Sequence, residues 1–228
     1  MYTNVNLAAP VGVLLFLGTG FVVFVFGLAL IYSLVKKKIL LTRITLLGLA
    51  IIVGFYFVIM LGFSVASRDE VLARGQEKHF CEIDCHLAYS ITDVRQTKTL
   101  GNAPDQVTAA GMFRVVTLKT RFDETTTSLN RENGLLYPNS RIVAVTDEAG
   151  RKYFPSPEGQ GALERSRAAG TPLTNPLRPS ETYTTTLVFD VPAEIRNPTL
   201  LIREGDLVTH FVIGHENTPL HKKTRFQI

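Results

Sequence analysis

The stretch "TYTTTLVFDV" at residues 182–191 places Tyr183, Leu187, Phe189 and Val191 at alternate positions, with Thr182, Thr184, Thr186 and Asp190 between them. Side chains of an extended chain point to opposite faces in turn, so this period of two predicts a strand with one face in a core and one in solvent. The same period recurs in "LAYSI" (87–91), where Leu87, Tyr89 and Ile91 share a face. Further strand candidates are Phe113 to Phe122, Arg141 to Thr146, Arg151 to Phe154, Thr199 to Arg203 and Val208 to Ile213. Turn signals such as "DEAG" (147–150) and "REGD" (203–206) separate them. Seven short strands with turn chemistry between them predict an all-β, antiparallel, immunoglobulin-like β-sandwich over residues 81–228. One long excursion, residues 155–181 with five prolines, interrupts the series, with a helical turn or two expected near Ala162 to Ala169.

Toward the N-terminus the composition changes. The first 66 residues contain no Asp or Glu and carry two charge-free apolar runs, Val11 to Val35 and Ile44 to Ala66. Each exceeds the roughly 20 residues that cross a bilayer as helix. The first run is longer than the ~7–15-residue apolar core of a cleavable signal, and no small-x-small site closes it. The expectation is an N-terminal transmembrane α-helical hairpin, residues 1–66. Its loop, "KKKILLTR" at 36–43, holds Lys36, Lys37, Lys38 and Arg43 and is cytoplasmic by the positive-inside rule. The expected protein is thus a two-pass protein of the cytoplasmic membrane. Both termini and the C-terminal domain are extracytoplasmic, on the periplasmic side in a Gram-negative cell. Residues 67–80 read as a juxtamembrane stalk, with Ser67 and Glu70 at capping-box spacing and Gly75 ending or bending the segment.

Four of the 24 basic residues sit in the loop, which leaves 20 against the chain's 20 acidic residues in the exported part. The basic balance is therefore a topology signal, and no Lys/Arg patch interleaved with aromatics points to nucleic acid. Gly-x-Ser-x-Gly, phosphate-loop and His-Glu-x-x-His motifs are all missing from the sequence, so an enzyme reading would need redox chemistry. The expected partners are membrane lipid and other membrane or extracytoplasmic subunits.

Redox chemistry has one candidate seat. "HFCEIDCH" (79–86) holds both cysteines and two of the five histidines. As a metal site it offers His79, Cys81, Cys85 and His86, ligands suited to copper or another soft metal, with Glu82 and Asp84 as weaker extras. If residues 81–85 form a helical turn, the two Cβ atoms lie about 6 Å apart, close enough to share an ion. "CEIDCH" is also a one-residue expansion of the Cys-x-x-Cys-His haem signature, for which Met112 or a distant His would be the axial partner. The remaining readings have no cofactor: a Cys81–Cys85 disulfide, which the oxidising compartment expected here permits, or two free thiols packed as small apolar groups. His215 and His221 are further candidate ligands if the C-terminal segment folds back. His210 reads as a surface or edge position in a strand.

Two resemblances bear on these expectations. The succession "LAYSITDVRQTKTLG", "GMFRVVTLKTRFD", "RIVAVTDEAGRKYFPS", "LRPSETYTTTLVFDVP" and "PTLLIRE" resembles the bacterial immunoglobulin-like domain of unknown function 4352, over residues 86–204. It implies a β-sandwich with binding or structural roles and no catalytic residues to carry over. The helical pair, the trailing sandwich and the Cys-x-x-x-Cys pair are similar to cytochrome c oxidase subunit II, where two such cysteines bridge a binuclear copper centre. Only Cys81 and Cys85 match that pattern, and Tyr89 and Thr92 stand where its His and Met ligands would follow.

Overall fold

The computed structural model describes residues 1–81, 85–126 and 134–228. The chain divides into two compact units. One comprises Val5–Ser67 with Leu207–Lys222; the other comprises Met1–Asn4, Arg68–Asp206 and Lys223–Ile228.

The first unit is built on two long helices, α1 (Ala9–Val35) and α2 (Ile39–Ala66). Both are long and apolar enough to cross a membrane, and their most apolar windows are 0% and 11% buried within the protein. A core helix of a water-soluble protein would be covered, whereas most of the apolar surface of these two helices is exposed. The connection is only Lys36 to Lys38, with Lys37 at φ 53° turning the chain. Helix α2 therefore starts at Ile39 and not at Ile44. Leu40, Leu41 and Arg43 are good helix formers, and a single charge does not stop a helix. Gly48 admits Phe26, since a Cβ there would lie 2.5 Å from the Phe26 ring. The Ser33 and Thr42 hydroxyls meet at 2.9 Å beside the turn.

Leu207–Phe211 in this unit is a 3-10 helix, which corrects the strand expected over Val208 to Ile213. The Tyr56 hydroxyl donates to the Phe211 carbonyl at 2.5 Å, fixing this segment by a long-range bond that a six-residue alternation could not foretell.

The second unit is the sandwich. One sheet has the order β1 (Tyr2–Thr3), β3 (Lys78–Phe80), β4 (Leu87–Leu100), β5 (Val107–Phe122), β8 (Thr182–Val191). The other runs β2 (Glu70–Leu72), β10 (Thr224–Gln227), β9 (Thr199–Glu204), β6 (Arg141–Thr146), β7 (Lys152–Tyr153). The long strands pair antiparallel, as expected, but β1 with β3 and β2 with β10 are short parallel pairs, so both sheets are mixed. Residues of the expected stalk supply β2 and β3.

The core fills the space between the sheets with Tyr89, Ile91, Val116, Leu118 and Phe189 from the first and Val143, Val145, Leu200, Ile202 and Phe226 from the second. The outer face of the first sheet is covered by α3 (Pro157–Arg165), whose Ala162 and Leu163 pack on Phe113, Val115 and Val188. Ser156 caps this helix, accepting from the Gly159 N–H at 3.2 Å, and Gly159 lets it approach: a Cβ there would lie 2.6 Å from Val188 Cγ1. The helix starts earlier than the turn expected near Ala162, because Ser156-Pro157-Glu158 is itself a helix start.

Candidate functional site

Within the sandwich unit, the chemistry-bearing side chains gather around β3 and the segment that follows it. Cys81 and Cys85 form a disulfide, with sulfurs 2.02 Å apart and Cα atoms 4.0 Å apart. Cys81 is buried and Cys85 partly buried. Neither sulfur is a thiolate here, which removes the two soft ligands that the copper reading and the haem reading both require. The weaker extras Glu82 and Asp84 lie outside the described residues.

Asn4 fastens this pair to the rest of the sheet ends. Its side-chain oxygen accepts from the Cys81 N–H at 2.7 Å, its amide donates to Glu204 Oε1 at 3.1 Å, and its own N–H donates to the His79 carbonyl at 3.1 Å. Glu204 is 2% exposed and sits opposite Arg141 in the β6–β9 register, with the guanidinium 4.0 Å away and its side chain fully buried. That guanidinium also lies 4.4 Å from the Phe80 ring centre. Lys78, itself fully buried, reaches across to the other sheet and donates to the Ile202 and Thr224 carbonyls at 2.9 and 3.2 Å. Buried charges are tolerated when hydrogen-bonded or paired, and breaking such a group is costly.

Parity along the strands was the missed signal. Arg141 alternates with the core residues Val143 and Val145, Glu204 with Ile202 and Leu200, and Lys78 with Phe80. An extended chain that buries those apolar side chains must also turn the three charges inward.

A second group lies beside the first. His79 Nε2 is 3.1 Å from Asp123 Oδ2, Arg121 donates to the same oxygen at 2.9 Å, and the Arg121 fork also holds Glu77 at 2.9 and 2.7 Å. The Thr125 N–H and hydroxyl donate to Asp123 Oδ1 at 3.0 and 2.6 Å. Burial pushes the Asp123 carboxyl upward, but the bonds from Thr125, Arg121 and His79 outweigh it and hold the group well below the usual carboxylate range. The bond from Arg121 likewise lowers Glu77, and the two carboxylates raise Arg121.

Glu77, His79 and Asp123 offer ligand atoms within 4.8 Å of one another. Arg121 already places a cation on both carboxylates, so a metal ion there would have to displace it. The His86 ring lies 5.1 Å from that of Phe122, and its carbonyl accepts from the Asp123 N–H at 2.6 Å. Both predicted histidines of the cluster are buried in the sandwich. His215 and His221, with His210, belong to the helical unit. Met112 lies in β5, in register with Val191. The 155–181 excursion borders an open groove of about 500 Å³, lined in part by Gln160, Gly170, Pro172, Leu173 and Leu187.

No protein-family model matches the chain, and no curated protein matches it by sequence. The resemblances to domain 4352 and to oxidase subunit II are thus without a matching family model or curated relative. Among solved structures the chain is similar to the secreted protein MPT63 of Mycobacterium tuberculosis, at 11% identity and a TM-score of 0.43, covering 71% of this chain and 98% of that one. It is also similar to the YjhA protein of Bacillus subtilis, at 9% identity and 0.41, covering 68% and 98%. A conserved hypothetical protein of Bacillus anthracis gives 12% and 0.39, covering 52% and 81%. At these scores the likenesses carry nothing beyond themselves, and the sandwich is established by the chain's own strand pairing.

Proposed function

We propose that this protein is a membrane-anchored accessory or binding protein. In this reading the helical pair spans the cytoplasmic membrane and the β-sandwich works on its outer side, within an assembly of other membrane or extracytoplasmic subunits. The observation that carries the proposal is the outward-facing apolar surface of two helices of 27 and 28 residues, joined through Lys36, Lys37 and Lys38. Such helices are about 40 Å long, enough for the ~30 Å hydrocarbon core with margin at both ends. The Cys81–Cys85 bond is then a staple suited to an oxidising compartment, and the ion-paired groups around it set the shape of the sandwich end. A soft-metal centre would first require reduction of that bond.

The test is extraction of native membranes. The chain should resist alkaline carbonate, dissolve in mild detergent, and migrate on a native gel with co-migrating subunits. Release by carbonate, or migration as a single 25.2 kDa chain in its micelle, would contradict the anchor or the assembly respectively.

A further inference from the structure

The segment Leu207–Lys222 exposes several large apolar side chains while burying a run of polar ones. Four of its large apolar side chains are exposed, Leu207 at 72%, Val208 at 48%, Phe211 at 45% and Leu220 at 72%, while Val212 is half-buried and Ile213 is buried. Four successive polar residues are buried, His215, Glu216, Asn217 and Thr218 all at 5% or below, while Thr209, His210 and His221 are half-buried and Lys222 is exposed. Loops in water do the reverse, and this inversion belongs to chain surrounded by hydrocarbon.

Several of the segment's polar groups are met within it or on the two helices. The Thr218 hydroxyl lies 2.8 Å from that of Ser64, the Asn217 amide donates to Thr209 Oγ1 at 2.7 Å, and the Asn217 N–H donates to His215 Nδ1 at 3.0 Å. The Gly214 carbonyl accepts from the Asn6 N–H at 2.8 Å, and the His215 and Thr218 N–H groups bond to the Val212 and His215 carbonyls. Gly12 of α1 admits the backbone, since a Cβ there would lie 2.7 Å from the Ile213 oxygen. Non-helical chain at membrane depth is tolerated only when its backbone polar groups are met in this way.

Depth follows from one bond. Tyr56, which donates to the Phe211 carbonyl, stands thirteen residues beyond Arg43, about 20 Å along α2. With Arg43 at the inner edge of a ~30 Å core, that carbonyl lies roughly 10 Å beneath the outer edge. Val208 and Phe211, three apart in a 3-10 helix, share one side of it.

We propose that Leu207–Phe211 is a re-entrant membrane element whose Val208 and Phe211 side chains contact the acyl chains of the outer leaflet. It rests on the hairpin spanning the bilayer, and it adds a third point of insertion from a segment some 140 residues further along the chain. Its lipid-facing surface continues that of the helices, which is why acyl chains and not a second protein are its occupant.

The sequence contains no tryptophan, so single replacements give clean reporters. The full chain is reconstituted in vesicles with and without lipids brominated on the acyl chain, as F211W, V208W, F24W and F154W. Phe24 is an exposed residue of α1, and Phe154 an exposed residue of the sandwich unit. The expected result is blue-shifted emission, lost with brominated lipid, for F211W, V208W and F24W, and quenching by aqueous iodide alone for F154W. If F24W is quenched by bromine while F211W and V208W respond to iodide, the hairpin stands and the re-entrant element falls. If both segment reporters resist bromine and iodide alike, a protein covers the face and the proposal falls. If F24W itself escapes bromine, the membrane reading fails.

Discussion

The Cys81 N–H donates to the Asn4 side-chain oxygen at 2.7 Å, so the first strand of the chain is tied to a disulfide 77 residues later. The same Asn4 side chain bonds Glu204, and one small amide thus joins three remote segments. Replacement of Asn4 by Ala leaves the buried Cys81 N–H without that acceptor and should destabilise the sandwich by about 1–3 kcal/mol. Chemical denaturation of the full chain in micelles, followed by near-ultraviolet dichroism, measures the loss.

The disulfide closes a short loop. Converting both cysteines to serine should cost about 2 kcal/mol, from the unfolded-state entropy of a loop of about five residues. In the oxidised protein, metal content should be unaffected by the double replacement. Stoichiometric copper in the reduced parent, lost in the double variant, would revive the soft-metal reading.

Asp123 ties the acid response of the sandwich to its neighbours. Its carboxyl is held down in the folded protein, so its contribution is complete above the ordinary carboxylate range and is lost as pH falls through the folded value. Glu77 has the same sign. Stability should therefore be nearly level from neutrality to about pH 5 and fall below about pH 4. In D123N the neutral-pH stability should drop by about 1.5–3 kcal/mol and the acid slope should flatten. An unchanged slope would remove Asp123 from this role.

Arg141 and Glu204 are buried as a cross-strand pair. E204L and R141M should each cost about 3–5 kcal/mol, because each removes one partner of a buried charge. The double variant should cost clearly less than the two together, and a double-mutant cycle reads the difference. Strict additivity would mean that the two charges do not interact.

Much of this architecture was legible in the sequence because burial repeats with the period of each element. The two apolar runs became α1 and α2, and "TYTTTLVFDV" became β8. Strands β4 and β5 run well beyond the stretches where alternation was visible. Register shifts between Ile91 and Asp93 and between Thr97 and Thr99 displace the pattern from one face to the other, and α3 buries Phe113 and Val115 on the supposed outer side. The short strands β1, β2 and β10 take their pairing from partners far along the chain, which no local window contains.

The site was legible in a different measure. "HFCEIDCH" drew attention for its ligands, and both its histidines do lie among the buried groups of the sandwich. What organises the region is Asn4, Lys78, Arg141 and Glu204, which only strand parity combined with long-range pairing brings together. Asp123 and Arg121 share a face of β5 and its continuation, yet Glu77, the second carboxylate held by Arg121, comes from just before β3.

The proposed topology puts the turn between the helices inside the cell and the sandwich outside, and impermeant maleimide labelling of single introduced cysteines reads out both positions. In intact cells expressing the full chain, with the native pair left as its disulfide, a cysteine at exposed Gly150 should be labelled at once. A cysteine at Lys37, in the turn between the helices, should be labelled only after the membrane is opened. Labelling of position 37 in intact cells, with position 150 protected until permeabilisation, would contradict the account.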